Sequence, residues 1–304
     1  MSNQTDTLDR LPSQSRIAIV RLRSLGDCVL STPAIQLLKQ ARPDLDIAVV
    51  VEDRFAALFE KTLNPSARAL RAFAPDLCLN LHGGTRSARL TLLSGAKTRA
   101  GFDIFKPAWI YNKPIPTAQE ILGISRRVHT AEHQASATFF LGVPIGDVPR
   151  ARIPAAPDRA PQAPETAYAV IHPMAAAPEK TWPAPFFLQL ARYVRQEMGL
   201  EPVFIGGPGE DLSQFQMFRT LIGAPLPELA RLVRDAALFI GNDSGPAHVA
   251  AAFGTPQLIF FGPSDEQIWH PWRVSHQILK SDPIHQITVD QAIRSLRKLE
   301  MRVA

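Results

Sequence analysis

The sequence has little of what marks secreted or membrane-spanning proteins. Its 304 residues include two cysteines, Cys28 and Cys78, which are too few for a disulfide framework. No apolar run is longer than a β-strand, so no transmembrane helix is predicted. Residues 1–15 are polar and lack the apolar core of a signal peptide, so we expect a disordered lead-in there. These absences favour a globular protein of the reducing cytoplasm.

An extreme charge of either sign is also missing. The 33 basic and 28 acidic residues leave a net charge of +5. This excess fits anionic substrates or an anionic membrane face, and it fits an ordinary solubilising surface equally well. The basic residues are not interleaved with aromatic side chains, so no nucleic-acid partner is expected. The length suggests two domains of about 150 residues each.

Both halves of the chain alternate apolar strands with helices in the same rhythm. In the first half we predict strands at 16–20, 45–51 and 77–81 and helices at 29–42, 55–63, 86–94 and 127–140. In the second half we predict strands at 168–172, 202–205, 238–240 and 257–261 and helices at 185–198, 226–234, 247–253 and 289–301. The alternation predicts an α/β fold with two Rossmann-like, doubly wound domains facing a central cleft.

The domain boundaries follow from a proline-rich stretch between residues 143 and 166, which has few large apolar residues. That composition is typical of a linker. We therefore predict an N-terminal domain over 16–150, a linker over 151–166 and a C-terminal domain over 167–304. Ligands of doubly wound sheets bind outside the carboxyl ends of the strands, so we expect the site residues in the turns that follow strands.

An anion-binding turn is predicted where the strand ending at Ile240 meets an alanine-rich helix. Asp243 and Ser244 are residue types that start helices, and Gly245 adds no bulk. A helix N-terminus exposes backbone N–H groups, which favour a phosphate or another anion. His248 lies one turn after Ser244 and therefore falls on the same helix face.

The first turn of the chain, from Arg23 to Asp27, has the opposite character. It lacks the G-x-G-x-x-G pattern of a dinucleotide-binding turn, and a carboxylate in that place would repel a pyrophosphate. Asp27 is therefore predicted to be a catalytic base that is ionised and able to accept a proton. The alternative role of Asp27 is to cap the helix that follows it.

Two further turns in the second half carry charged side chains. Lys180 is placed to reach a phosphate as a mobile point charge, or else it is a solvated loop lysine. Glu210 follows a strand and a glycine-rich turn, where it either accepts hydrogen bonds from ribose hydroxyls or serves as the acid in the first turn of a helix. Together with Asp243 and Ser244, these residues suggest that the C-terminal domain binds a nucleotide diphosphate.

Basic residues of the first half are candidates for binding an anionic acceptor, and they are Arg23, Arg86, Arg127 and His129. For Arg86 the alternative is a surface salt bridge. Residues 129–133 also spell H-x-x-E-H, the inverted zinc-protease signature, although an amphipathic helix with a half-buried histidine is favoured. Residues 44–46 spell D-x-D but precede their strand, so we expect no metal site and no cofactor.

Seven motifs stand in a characteristic order along the chain: Arg23-Ser-Leu-Gly-Asp27, Thr32-Pro33-Ala34, His172-Pro173, Lys180-x-Trp182-Pro183, Gly207-x-x-Glu210, Gly241-Asn-Asp-Ser-Gly-Pro-Ala-His248 and Phe261-Gly262-Pro263-Ser264. In this order and spacing they resemble the lipopolysaccharide heptosyltransferase family of glycosyltransferases. The resemblance covers residues 16–299. It implies two Rossmann-like domains in the GT-B arrangement.

The resemblance also implies an activity. It implies metal-independent transfer of a heptose or related sugar, with inversion at the anomeric carbon, from a nucleotide donor such as ADP-heptose. The implied acceptor is a lipopolysaccharide-core or similar lipid-linked glycan, which would bring the protein into transient contact with the inner leaflet of the membrane. By position it implies that Asp27 is the general base and that Lys180 binds phosphate. It implies that Glu210 binds the ribose and that Asp243 contacts the donor sugar. It also implies that Ser244, Gly245 and His248 form the turn that binds the diphosphate.

The sequence departs from the family pattern at residues 174–177, Met-Ala-Ala-Ala. Members often carry glycine and hydroxyl residues there that help to hold phosphate, so in this chain backbone N–H groups would have to replace them. Three other classes stay open at this point. They are a sugar-nucleotide epimerase, which would use the same donor pocket without an acceptor, a non-catalytic carbohydrate-binding relative, and a zinc hydrolase using His129, Glu132 and His133.

Overall fold

The computed structural model describes residues 5–154 and 158–299. The chain divides into two compact units, of which the N-terminal unit ends at Pro154. Each unit is built on a six-stranded sheet in which the paired strands are parallel. Helices connect the strands, so the predicted α/β class with two Rossmann-like, doubly wound sheets is confirmed.

The N-terminal sheet has the strand order β3-β2-β1-β4-β5-β6, which is the order of Rossmann folds. Its strands are β1 (Arg16–Val20), β2 (Asp46–Val50), β3 (Thr62–Leu63), β4 (Leu77–Asn80), β5 (Thr98–Phe102) and β6 (Lys113–Ile115). Its helices are α1 (Leu25–Ala41), α2 (Ala67–Phe73), α3 (Thr85–Leu93), α4 (Ala118–Leu122) and α5 (Thr130–Leu141). The central strands are almost wholly apolar and buried, as strands covered on both faces must be.

The C-terminal sheet repeats this plan with the strand order β12-β11-β10-β7-β8-β9. Its strands are β7 (Tyr168–His172), β8 (Glu201–Gly206), β9 (Arg219–Ile222), β10 (Leu238–Asn242), β11 (Gln257–Phe261) and β12 (His276–Lys280). Its helices are α6 (Ala184–Met198), α7 (Leu226–Arg234), α8 (Gly245–Phe253), α9 (Glu266–Trp269) and α10 (Val289–Leu296). Its core is aromatic, with the fully buried Trp182 stacked on Phe260 at a ring-centroid distance of 4.0 Å.

Some local predictions for the first half are wrong. Helix α1 begins at Leu25 rather than Val29, because the extended backbone of Ser24 occupies the N-cap position. The predicted helix at 55–63 is a 3₁₀ helix, Asp53–Leu58, followed by strand β3. The β-branched Thr62 pairs with Val49 in that strand, so sheet pairing overrides the helical pattern.

The predicted disordered lead-in is wrong for residues 5–15, while residues 1–4 lie outside the described part of the chain. The backbone N–H of Thr5 donates to the carbonyl of Phe140 at 2.9 Å, and that of Leu8 donates to the carbonyl of Leu141 at 2.9 Å. The Leu8 side chain is 1% exposed. The Arg42 guanidinium donates to the carbonyl of Leu8 at 2.5 Å. These contacts were not visible in the polar composition of the segment.

The predicted linker also packs at both of its described ends. The backbone N–H of Arg152 donates to Thr32 Oγ1 at 3.1 Å, and Ile153 is buried in the N-terminal unit. Ala160 is buried, and Arg231 pairs with Asp158 at 2.5 Å in the C-terminal unit. The proline content correctly indicates that the described residues of this stretch form neither helix nor strand.

Within residues 5–154 and 158–299, no helix has both the length and the apolar character needed to span a bilayer.

The docked N-terminal segment gives a stability prediction. Leu8→Ala should lower the free energy of unfolding of the N-terminal unit by about 2–3 kcal/mol, because it leaves a cavity beside α5. Arg10→Ala, which removes an exposed ion pair with Asp6, should change it by less than about 1 kcal/mol. Urea unfolding measures both variants. Equal, near-zero effects would show that the segment does not pack.

Candidate functional site

The carboxyl edge of the N-terminal sheet holds an ion pair around Asp27. Arg21, the residue after β1, is 5% exposed and its guanidinium pairs with Asp27 Oδ1. The same guanidinium donates to the carbonyl of Leu81 at 2.5 Å. The Ser24 hydroxyl donates to Asp27 Oδ2 at 2.9 Å. The Asp27 side chain remains 25% exposed, so the carboxylate is held in place while staying open to solvent.

Two imidazoles lie within the electrostatic influence of Arg21. Burial lowers the pKa of His82, and the positive charge of Arg21 lowers it further. Burial, together with that same charge, lowers the pKa of His133 to about 4. The His133 ring stacks on Phe102 with centroids 4.1 Å apart. At neutral pH both rings are therefore uncharged, and Arg21 is the cation that faces Asp27.

The four residues predicted to bind an acceptor occupy different environments. Arg23, Arg86 and Arg127 are exposed. Arg86 donates to Glu52 Oε1 at 3.1 Å, so it forms the surface salt bridge that was its alternative role. His129 is 1% exposed, and its Nδ1 accepts the backbone N–H of Ala131 at 3.1 Å. The structure therefore uses His129 to cap α5 and keeps its side chain away from solvent.

The H-x-x-E-H pattern has a structural explanation in this cap. Glu132 accepts the backbone N–H of His129 at 3.2 Å, which completes a capping box, and it also pairs with Arg126 at 2.6 Å. His133 is stacked on Phe102. Among the described residues, no group of three or more His, Cys, Asp or Glu side chains is placed to hold a metal ion.

The C-terminal unit brings four predicted residues to the carboxyl edge of its sheet. Lys180 Nζ lies 3.6 Å from Asp243 Oδ2, although the two residues belong to different turns. The Asp243 side chain is 10% exposed and that of Lys180 is 35% exposed. Glu210 follows β8, and Ser244 precedes α8. The predicted donor residues thus converge on one edge.

The turn that carries Lys180 lies directly against the Phe-Gly-Pro-Ser motif. Lys180 ends a 3₁₀ helix that begins at Pro178. A Cβ atom at Gly262 would collide with the backbone carbonyl oxygen of Glu179. Glycine at this position therefore allows the close approach that places the lysine.

His172 links two of the predicted residues, and its place in the His172-Pro173 motif did not indicate this role. It is the last residue of β7 and is 6% exposed. Its Nδ1 lies 3.0 Å from Ser244 Oγ, and its Nε2 lies 3.6 Å from Glu210 Oε2. The interaction with His172, reinforced by the backbone N–H of Gly207 at 2.6 Å, lowers the pKa of Glu210. Glu210 is therefore ionised at neutral pH.

The helix start at Ser244 differs from the one predicted. Ser244 has the extended backbone of an N-cap, but its side chain makes no capping hydrogen bond and contacts His172 instead. Pro246 has no N–H, and the N–H of Ala247 donates to the carbonyl of Ser244 at 3.1 Å. The turn therefore offers an anion fewer backbone donors than an ordinary helix start. His248 lies on α8, is 4% exposed and faces Trp269 at a ring-centroid distance of 6.3 Å.

A buried amide fixes the loop that departs from the family pattern. Asn242, the last residue of β10, is fully buried. Its Oδ1 accepts the backbone N–H of Trp182 at 3.0 Å, and its Nδ2 donates to the carbonyl oxygens of Pro173 at 2.9 Å and Met174 at 3.4 Å. The loop after β7 is thus tied to the Asp243 turn by an asparagine whose only signal in the sequence was its place in the Gly-Asn-Asp-Ser motif.

Comparisons with known proteins give a consistent result. The family model described as glycosyltransferase family 9 (heptosyltransferase) matches residues 65–295. Lipopolysaccharide heptosyltransferase 3 of Escherichia coli is 28% identical over 292 residues, which cover 83% of this chain and 84% of that protein.

Solved structures share the fold of this chain. The crystal structure of a family 9 glycosyltransferase from Veillonella parvula superposes with a TM-score of 0.81 at 23% identity, covering 98% of this chain and 99% of that one. The E. coli heptosyltransferase WaaC superposes with TM-scores of 0.74 in its complex with ADP and 0.71 in its complex with ADP-2-deoxy-2-fluoro heptose. The identities are 18% and 19%, and each comparison covers 93% of this chain and 99% of WaaC. This chain belongs to glycosyltransferase family 9, the heptosyltransferase family.

Proposed function

We propose that this protein transfers a heptose from ADP-heptose to a lipopolysaccharide-core or similar glycan acceptor, with inversion at the anomeric carbon and without a metal ion. The proposal rests on one contact: Lys180 Nζ lies 3.6 Å from Asp243 Oδ2, and Asp243 directly precedes Ser244, the N-cap residue of α8. The ADP and ADP-sugar complexes of WaaC, which shares this fold, support the choice of nucleotide.

Each donor-binding residue is proposed to serve a different part of the nucleotide sugar. Lys180 binds the diphosphate and balances the charge that develops as the diphosphate leaves. Asp243 holds the lysine in position and accepts a hydrogen bond from a hydroxyl of the donor sugar. Ser244 and Gly245 line the start of α8, where the positive end of the helix dipole favours an anion. His248 supports the first turn of that helix from its buried face.

Glu210 is proposed to bind the ribose of the donor. One of its oxygens, Oε2, is engaged by the N–H of Gly207 and faces His172. The other oxygen, Oε1, is proposed to accept hydrogen bonds from the ribose hydroxyls. A side chain held at one oxygen loses less conformational entropy when the second oxygen binds a ligand.

Asp27 is proposed to be the general base. Its carboxylate takes the proton of an acceptor hydroxyl as that oxygen forms a bond to the anomeric carbon, and the bond from that carbon to the diphosphate oxygen breaks. One such displacement inverts the anomeric configuration. ADP leaves with the electron pair of the broken bond. Arg21 orients the base through their ion pair.

The acceptor is proposed to meet the exposed arginines near this base. Arg23 lies in the Asp27 turn, and Arg86 opens α3 at the same sheet edge. Arginine suits the phosphate and carboxylate groups of an anionic glycan, because its guanidinium donates two parallel hydrogen bonds. Arg127 is a third exposed candidate. His129 is not included, because it caps α5.

Replacing the base tests the proposed chemistry. Asp27→Asn should lower kcat by about 10²- to 10⁴-fold, because the amide cannot accept the proton. Its affinity for ADP should not change, since Asp27 belongs to the N-terminal unit. Asp290→Asn, at another first-turn acid of a helix, is the matched control and should keep full activity. Steady-state kinetics and calorimetric ADP titration give both values, and full transfer by Asp27→Asn would refute the assignment.

The role of Glu210 is tested by comparing the binding of ADP and 2′-deoxy-ADP to the wild type and to a Glu210 variant. The wild type should bind ADP about tenfold more tightly than 2′-deoxy-ADP, and Glu210→Gln should bind the two more nearly alike. Because the pKa of Glu210 lies below its ordinary value of 4.5, the carboxylate should keep this preference above pH 5 and lose it as the pH falls through the folded-state pKa.

Calorimetric titration at several pH values measures this preference. Glu197→Gln, on the exposed side of α6, is the control and should retain it. An unchanged preference in Glu210→Gln would show that the carboxylate does not contact the 2′-hydroxyl.

A further inference from the structure

His172 lies between the two turns of the C-terminal unit that are proposed to hold different parts of the donor. It ends β7, which has β10 on one side and β8 on the other in the strand order. The turn after each neighbouring strand brings one side chain to the imidazole. Nδ1 lies 3.0 Å from Ser244 Oγ, and Nε2 lies 3.6 Å from Glu210 Oε2. The ring therefore connects the proposed diphosphate side of the site to the proposed ribose side.

The strands themselves hold the imidazole in this place. Gly241 of β10 is the register partner of His172. A Cβ atom at Gly241 would lie 3.0 Å from the carbonyl oxygen of His172 and 3.4 Å from its Cβ atom. The glycine therefore allows β10 to approach the histidine closely. Because His172 is 6% exposed, its ring has little room to turn away from its two partners.

The ionised carboxylate of Glu210 decides which nitrogen of His172 carries the proton in a neutral ring. A neutral imidazole has one donor nitrogen and one acceptor nitrogen, and an ionised carboxylate only accepts. Nε2 therefore carries the proton, and Nδ1 accepts the hydroxyl hydrogen of Ser244. In that state the Ser244 oxygen offers a ligand only its lone pairs.

A diphosphate requires the opposite orientation of the Ser244 hydroxyl. Phosphate oxygens accept hydrogen bonds, and the turn has few backbone donors, because Pro246 lacks an N–H and that of Ala247 donates to the carbonyl of Ser244. If the hydroxyl donates to phosphate, its oxygen must face a donor at Nδ1, since two lone pairs 3.0 Å apart repel each other. A neutral ring protonated at Nδ1 would then turn the lone pair of Nε2 towards the carboxylate of Glu210. Only an imidazolium, which donates from both nitrogens, satisfies Glu210 and a phosphate-binding Ser244 together.

We propose that His172 is a positioning residue that takes up a proton from solvent when the nucleotide sugar binds. The imidazolium turns the Ser244 hydroxyl towards the diphosphate and keeps its contact with Glu210. The negative charge of the diphosphate favours the added proton, which then offsets part of the charge on the departing ADP. This inference rests on the proposed function, because it requires the donor diphosphate to lie beside Ser244.

The other charged and titratable groups of this edge are Glu210, Lys180, Asp243 and His248. Because the pKa of Glu210 lies below its ordinary value of 4.5, its carboxylate is ionised throughout the neutral range. Lys180 and Asp243 pair with each other at 3.6 Å, so their charges offset each other. His248 lies on α8 with its ring facing Trp269. Histidine is the side chain that ordinarily changes charge near neutral pH, so the experiment has to distinguish the two imidazoles.

Calorimetric titration of ADP-heptose without an acceptor measures the proton uptake. The esterified diphosphate of this donor does not itself titrate near neutral pH. Titrations in PIPES and in Tris, whose ionisation enthalpies differ, give the number of protons taken up per donor bound. Between about pH 6 and pH 9 we expect an uptake that reaches up to about one proton, so that Kd rises by up to about tenfold per pH unit.

Two histidine variants assign the proton. His172→Gln should abolish the uptake and make Kd nearly independent of pH, because glutamine does not titrate. His285→Gln removes an exposed histidine of the same unit and is the matched control, which should keep the uptake. Uptake that persists in His172→Gln, whether or not it is lost in His248→Gln, would place the proton on another group and overturn the proposal.

The wild type alone separates this inference from the proposed function. ADP-heptose that binds with no proton uptake at any pH in this range would overturn the role of His172 and leave the proposed transfer standing. If ADP-heptose does not bind, the proposed donor is wrong and the inference is overturned with it. Neither result depends on the folding of a variant.

Discussion

In each sheet, a buried asparagine amide at the end of the fourth strand fixes a loop at the functional edge of that sheet. Asn80 ends β4 and Asn242 ends β10, and both are fully buried. Each Oδ1 accepts a backbone N–H of a loop residue, from His82 at 3.0 Å and from Trp182 at 3.0 Å. Leaving such an amide unpaired in the interior would cost about 1–3 kcal/mol, so these loops have little freedom to move away.

The consequences of this constraint differ between the units. In the C-terminal unit, Asn242 fixes the loop whose 3₁₀ helix carries Lys180, and so it sets where the cation meets Asp243. In the N-terminal unit, Asn80 holds Tyr111 and the backbone of His82. The same kind of asparagine hydrogen bond therefore supports the edge that we propose binds phosphate in one unit and the edge that we propose binds the acceptor in the other.

Much of the fold was predictable from local sequence. Parallel strands buried on both faces are continuous apolar runs, so residues 16–20 and 257–261 were identifiable as strands. Turns that follow strands lie at one sheet edge, so Lys180, Glu210 and Asp243 could be grouped before their distances were known. The short elements that were missed are α2, α4, α9, β3, β6, β9 and β12, because two to seven residues give too little periodic signal.

The partners of the site residues could not be predicted, because they are distant in sequence. His172 and Ser244 are 72 positions apart, and Trp182 and Asn242 are 60 apart. Arg21 and Leu81 are also 60 apart, so nothing local showed that this arginine would be buried beside the end of β4. The His129 pattern shows the converse, since a spacing that spells a zinc motif is a capping box in the fold.

The central claim is that a donor held by Lys180 and Glu210 is attacked by an acceptor that Asp27 deprotonates, with no metal ion. The most direct measurement is the reaction of the purified protein with ADP-heptose and a lipopolysaccharide-core acceptor in excess EDTA, followed by NMR of the product. The account predicts one new glycosidic bond of inverted anomeric configuration, with ADP released in equal amount. A retained configuration, an epimerised nucleotide sugar formed without acceptor, or turnover that EDTA abolishes and Mn²⁺ restores would contradict it.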